Sequence, residues 1–243
     1  MSPPVFLAGT DALQRGSVVL DGPEGRHAAA VRRLRPGERV DLTDGEGLLA
    51  ECVVTAADRT SLTLDVLARH RHPPPAPRIV VVQALPKGDR GELAVETMTE
   101  AGVDEIVPWS AARCVTQWRP ERREKALGRW RGAAREAGKQ ARRSRLPAVA
   151  GLASTGDVAG RIAAASLALV LHEEAAAPLS AVAPPAEGEI VLVVGPEGGI
   201  TDEELERFAA AGGRSARLGP TVLRTSTAGV AAAAVLLAAT GRW

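Results

Sequence analysis

Two stretches in the last quarter of this 243-residue chain place glycine, proline and charged side chains where they could hold a ligand. The first is Gly195-Pro196-Glu197-Gly198-Gly199, which follows the apolar run Val191-Leu192-Val193-Val194. That run is too short and too β-branched for a helix, so it reads as a buried strand. Thr201 and Glu204 then form a capping box, and Asp202 and Glu203 suit the positive end of the helix that follows. The usual ligand of a strand, glycine loop and helix start is a phosphate held by main-chain amides. Here the glycine spacing is not that of a dinucleotide fingerprint, no Gly-Lys-Ser/Thr is present, and four acidic side chains would repel an anion. A ligand without phosphates but with hydrogen-bonding edges fits better; for one such loop taken alone, a plain tight turn is the competing reading.

The second stretch is Arg217-Leu218-Gly219-Pro220-Thr221-Val222-Leu223-Arg224-Thr225-Ser226-Thr227-Ala228-Gly229. It leads into a helix over residues 226–239, capped by Ser226 or Thr227. That helix is apolar all round, which predicts burial, and it is too short to cross a bilayer. Its small side chains suit close packing against another helix or subunit.

These loops have to be positioned by a sheet. From residue 78 onward strands alternate with helices: residues 79–84, 105–109, 148–150, 167–171 and 190–194 read as strands. A helix ended by Gly102 and a long one opened by Pro120 lie between them. The pattern predicts an α/β domain with a mostly parallel sheet covered on both faces, ligands binding beyond the carboxyl ends of its strands. Residues 1–72 instead read as short strands with one helical piece over residues 27–34, a small β-barrel. The proline-rich residues 73–77 form the linker, and residues 78–243 the second domain.

Net charge is +1, so any affinity for nucleic acid must come from local charge. Arg26, His27, Arg32, Arg33 and Arg35 cluster around the helix of the first domain, as a solvated face or as a phosphate-contacting patch. Residues 119–145 are strongly basic against an acidic C-terminal third, which favours contact with RNA phosphates. Aromatic residues are scarce, so recognition by stacked bases is disfavoured and recognition by phosphate contact and shape is expected. Cys52 and Cys114 make no metal pattern, His27, His70, His72 and His172 show no zinc spacing, and no metal is expected. With no signal peptide and no transmembrane run, the expected setting is cytoplasmic and off the membrane.

Gly195-Pro196-Glu197-Gly198-Gly199, Leu218-Gly219-Pro220 and Leu223-Arg224-Thr225, at this spacing, resemble the SPOUT-class RNA methyltransferases, and among them the RsmE family. Lys87, Asp89, Arg90, Glu96, Glu100, Gly102, Pro108, Arg113, Gln140, Arg143 and Pro147 also sit where that family's motifs have them. The resemblance implies a PUA-like RNA-binding barrel and a SPOUT domain whose two loops fold into a trefoil knot around S-adenosyl-L-methionine, a cofactor with no phosphates. It implies methylation of uridine N3 in 16S ribosomal RNA, with that RNA or the small ribosomal subunit as partner and a homodimer whose sites are completed by the partner chain. The cofactor residues it points to are Leu171, His172, Gly195, Pro196, Glu197, Gly198, Gly199, Leu218, Gly219, Leu223, Ser226 and Ala228. Lys87 and Arg143 join the first-domain cluster as RNA contacts.

A uridine imide is a weak nucleophile until its proton leaves, so the site must supply a base or stabilise charge on the uracil oxygens. Arginine does the second while staying charged near neutral pH. Arg224 is the first choice for that role, with Arg113 and Arg90 in reserve; a brace between Arg224 and Glu197 is the structural alternative. Three departures from the family pattern stand out. Ala111-Ala112-Arg113 replaces Ser-Glu-Arg, Lys139 replaces a Glu, and Ser226 replaces the Glu of Arg-Thr-Glu-Thr. They leave room for a non-catalytic assembly or RNA-binding factor on the same fold; a nucleotide-dependent α/β enzyme is a third reading.

Overall fold

The computed structural model describes residues 2–243, and the chain divides into two compact units. One comprises Met1–Pro74 together with Gly138–Leu146; the other comprises Pro75–Ala137 and Pro147–Trp243.

In the first unit, β1 (Val5–Leu7), α1 (Thr10–Leu13), β2 (Ser17–Leu20), α2 (Gly22–Arg26), β3 (Arg39–Thr43), β4 (Leu48–Ala57) and β5 (Leu62–Arg71) follow in order. Their sheet runs β1-β3-β4-β5-β2, so the expected barrel is a five-stranded sheet with β1 and β2 as edge strands. Only the β1–β3 pair is parallel. Alternate residues of β4 from Leu48 to Val54 are buried, as expected of a sheet with one covered face. Phe6, Leu13, Leu42, Leu62 and Leu64 form its core. The helical piece begins earlier than expected, at Gly22, and runs into a π-helical turn over His27–Val31. Gly25 lets this helix lie close to the end of β2: a Cβ there would lie 2.3 Å from the Leu20 carbonyl oxygen.

Residues 138–146, expected in the second domain, belong to this unit. Thr43 Oγ1 donates to the Ser144 carbonyl at 3.0 Å, and Gly47 N–H donates to the same oxygen at 2.9 Å. Lys139 is 7 % exposed, and its Nζ lies 2.9 Å from Glu24 Oε1.

The second unit is built from β6 (Arg78–Ala84), α3 (Arg90–Ala101), β7 (Glu105–Trp109), α4 (Pro120–Gln140, whose last turn lies in the first unit), β8 (Ala148–Val149), α5 (Thr155–Ala164), β9 (Leu167–Leu171), β10 (Glu189–Val194), α6 (Asp202–Ala210), β11 (Arg214–Ala216) and α7 (Thr225–Ala239). The sheet order is β11-β9-β10-β6-β7-β8, and every pair is parallel. Strands β6, β7 and β10 are buried almost end to end, which explains their mostly apolar sequences. Strand β11 and helix α5 went unrecognised in the sequence; β11 is a three-residue edge strand with two exposed positions.

Helix α7 starts one residue before the expected position, with Arg224 at its N-cap and no side-chain cap bond. The expectation of all-round burial needs correction. Thr225, Ser226, Gly229, Ala232, Ala233, Leu236 and Leu237 form one buried stripe, while Ala231, Ala234 and Val235 are half-buried and Ala238 is exposed. Among the described residues, no helix is long and apolar enough to cross a membrane.

Candidate active site: a glycine-lined cavity at the carboxyl end of the sheet

The loops that follow β9, β10 and β11 converge on one cavity of about 340 Å³, within the range typical of small-molecule sites. Leu171 ends β9 and His172 follows it; Gly195, Pro196, Glu197 and Gly199 follow β10; Leu218, Gly219, Leu223 and Ala228 come from the second stretch and α7. All of them line the cavity, and Arg90 and Arg224 face it as well. Three expected residues do not. Gly198 turns its carbonyl oxygen to Arg113, whose Nη1 donates to it at 3.1 Å, so Arg113 braces the loop from behind. Ser226 is 3 % exposed within the buried stripe of α7; its neighbour Thr225 lines the cavity instead. Helix phase sets this exchange, and no residue type in the run Thr225-Ser226-Thr227 signals it.

The glycines have separate reasons. Gly199 has φ +76°, a left-handed conformation that closes the turn in which its N–H donates to the Pro196 carbonyl at 2.9 Å. At Gly195 a Cβ would meet Ile200 Cγ1 at 2.7 Å, so its lack of a side chain admits the return of its own loop.

Glu204 holds the scaffold. It is 5 % exposed; its Oε2 accepts from the Thr201 N–H at 3.1 Å, while Oε1 accepts from the Ala112 N–H at 2.9 Å and from Thr155 Oγ1 at 3.0 Å. One carboxylate thus joins the start of α6, the start of α5 and the segment after β7. The sequence revealed only the first of these links.

Charge around the cavity is mixed. Glu173 and Glu197 face Arg90, Arg217 and Arg224. Glu197 does not brace Arg224; its Oε1 accepts the Lys87 N–H at 3.1 Å, and among the described residues the Arg224 side chain has no hydrogen-bond or ion-pair partner. Glu173, Arg217 and Thr225 were not singled out in the sequence, because nothing in their spacing distinguishes them from other loop residues. Burial pushes the Cys114 thiol up, and Cys114 does not line the cavity. Among the described residues no group of three or more His, Cys, Asp or Glu could hold a metal ion.

The remaining candidates lie elsewhere. Arg26, Arg32, Arg33 and Arg35 are exposed on the first unit, whereas His27 packs edge-on against Phe6 with ring centroids 5.6 Å apart. Arg143 is partly spent on structure, its Nε donating to the Arg145 carbonyl at 2.8 Å. Lys87 is exposed.

Residues 73–237 match the model of an RNA methyltransferase domain, and residues 20–67 that of an RNA methyltransferase PUA domain. The chain belongs to the RNA methyltransferase family. It is 50 % identical to the ribosomal RNA small subunit methyltransferase E of Mycobacterium bovis, over 93 % of this chain and 87 % of that one. With the protein of the same name from Bacillus subtilis it shares 29 % identity, over 86 % and 85 % of the two chains. Its fold matches the crystal structure of the ribosomal RNA small subunit methyltransferase E from Neisseria gonorrhoeae bound to S-adenosyl methionine, with a TM-score of 0.85, 27 % identity and 98 % of each chain covered. A Legionella pneumophila methyltransferase in complex with the same cofactor gives a TM-score of 0.85 at 26 % identity, again over 98 % of each chain. Within this RNA methyltransferase the glycine-lined cavity is the candidate cofactor site.

Proposed function

We propose that this protein transfers a methyl group from S-adenosyl-L-methionine to N3 of a uridine in 16S ribosomal RNA of the small subunit. The observation that carries the reading is one cavity that pairs a glycine-lined wall with an arginine, Arg224, whose side chain has no partner among the described residues. The cavity fits the cofactor chemically. Its walls offer main-chain edges and the apolar side chains Leu171, Val194, Ile200, Leu218 and Leu223, which suits an adenosine, and Glu173 and Glu197 suit a ligand with a positive sulfonium. When bound, the cofactor supplies an electrophilic methyl group.

The protein's own part is to hold the uracil and its charge. As the imide proton leaves, negative charge spreads to the uracil oxygens, and the Arg224 guanidinium offers planar donors to receive it. Arg90, on the same cavity, is a second charge for the phosphate or base of the incoming nucleotide. Arg113 acts by positioning, through its bond to the Gly198 carbonyl.

Two of the departures from the family pattern, Ser226 and Lys139, do not count against catalysis. Neither Ser226 nor Lys139 lines the cavity, and Lys139 is paired with Glu24 in the other unit. A non-catalytic assembly factor on this fold therefore has no feature of the cavity in its favour.

The exposed arginines of the first unit and Lys87 are assigned to RNA phosphates, and the apolar outward side of α7 to a homodimer. A trefoil knot is part of the same reading: after edge strand β11 the chain returns to pack α7 on β6 and β10. Labelled methyl transfer to 16S ribosomal RNA and to assembled small subunits, with mass mapping of the product, tests the proposal. N3-methyluridine is the expected product; no transfer to either substrate from protein that binds S-adenosylhomocysteine would overturn it.

A further inference from the structure

A second cleft, of about 540 Å³, opens beside the first on the same unit. The loop after β6 and the first turn of α3 contribute to both: Arg90 lines the cofactor cavity, and Gly88 and Gly91 line the second cleft. Its other walls include Trp118, Arg122, Lys125 and Trp130. In a chain with four Trp, two Phe and no Tyr, two of the four indoles meet here.

Their rings stand edge to face, with centroids 5.2 Å apart. Trp130 is 3 % exposed and has no hydrogen-bond partner for its ring N–H among the described residues. That nitrogen lies against Gly91 in the cleft wall, where a Cβ would approach it to 2.7 Å. Trp118 is half-buried, so its surface is the one open to a ligand. Thr116 Oγ1 donates to the Pro86 carbonyl at 2.7 Å and ties the Trp118 segment to the loop after β6. Arg129 is paired with Glu92 at 3.1 Å, and among the described residues the side chains of Arg122 and Lys125 have no ion-pair partner.

An aromatic surface beside two cations makes up the recognition chemistry of a nucleotide. We propose that this cleft holds a nucleotide of the RNA flanking the methylated one, its base against Trp118 and its phosphate between Arg122 and Lys125. The inference rests on the methyltransferase reading above, and it gives the basic helix α4 a specific role. Recognition by stacking, disfavoured by overall composition, is then concentrated at one place.

Three measurements test it on the full-length protein: the KM for 16S ribosomal RNA, the salt dependence of RNA binding, and tryptophan fluorescence with hexauridylate as probe. Trp118→Ala is expected to raise the KM for RNA about tenfold, and Trp118→Phe to restore most of the loss. Arg122→Ala/Lys125→Ala, on an exposed helix face, should make the plot of log K against log salt shallower by about 1.4. Hexauridylate should quench the wild type more than Trp118→Phe. Affinity for S-adenosylhomocysteine should stay within twofold in every variant.

Unchanged RNA KM and salt slope in variants that still bind S-adenosylhomocysteine would overturn the cleft assignment while leaving the function intact. Absence of quenching would overturn it independently of activity. So would a change of sedimentation coefficient in Trp118→Ala, which would show that a second copy fills the cleft. Loss of all methyl transfer in the wild type would instead sink the function.

Discussion

At the scale of single residues the site turns on which charges are already engaged. Glu197 is tied to the Lys87 N–H, Arg113 to the Gly198 carbonyl, and Glu204 to four donors, whereas among the described residues the Arg224 side chain has no partner beside the cavity. An unpaired guanidinium is well placed to respond to charge that exists only during the reaction. Replacing Arg224 by Ala should lower kcat about 100-fold or more, the typical cost of one transition-state donor, with little change in the affinity for S-adenosylhomocysteine. Arg224→Lys should recover only part, since a point charge does not reproduce two planar donors. Steady-state kinetics and calorimetry together check both statements; a variant with weakened cofactor binding but normal kcat would move Arg224 from catalysis to binding.

At the scale of elements, loop 195–199 is held from behind rather than by its own rigidity. A Cβ on Gly198 would lie 3.1 Å from the Arg113 Cβ and 3.3 Å from its carbonyl oxygen. Gly198→Val should therefore displace the loop and reduce affinity for S-adenosylhomocysteine at least tenfold in calorimetry, although Gly198 does not touch the cavity. Glu204 links α5 and α6 to the same region. Glu204→Ala removes the acceptor from four donors and should destabilise the fold by about 3 kcal/mol, measured by urea unfolding. Helix α7 has its polar and small residues sorted by depth, with Ser226 inside and Ala238 outside. If its outer face joins two copies, Ala234→Glu should convert the dimer to a monomer in sedimentation velocity.

At the scale of the molecule, the chain passes twice through its N-terminal unit. Residues 138–146 return to it, and the buried Lys139–Glu24 pair secures them. Removing one partner of such a pair leaves an uncompensated buried charge, so exchanging Lys139 for the Glu of the family pattern would set two carboxylates together. Cys52, in the core of that unit, gives a pH signature. Burial, with a smaller contribution from Asp41, pushes its thiol up to about 11. A thiol whose folded pKa is raised contributes stability below its unfolded value, and that stability is lost as pH rises towards the folded one. The unfolding midpoint should therefore fall between about pH 8.5 and 11, and Cys52→Ala should flatten that limb. Native Cys52 should also resist thiol reagents at pH 8.

The sequence by itself determined the strands β6, β7, β9 and β10, the capping box of α6 and the two glycine-bearing stretches. These depend on short-range causes: β-branched runs, cap spacing, and residues free to turn. It also held the family likeness, because those stretches lie close together in the chain. Only the tertiary structure decided which residues face the cavity. Thr225 rather than Ser226, a free rather than braced Arg224, and Trp118 beside Trp130 all follow from helix phase and from packing between segments far apart in sequence. The attachment of residues 138–146 to the first unit was hidden for the same reason: the carboxylate that claims Lys139 lies 115 positions away.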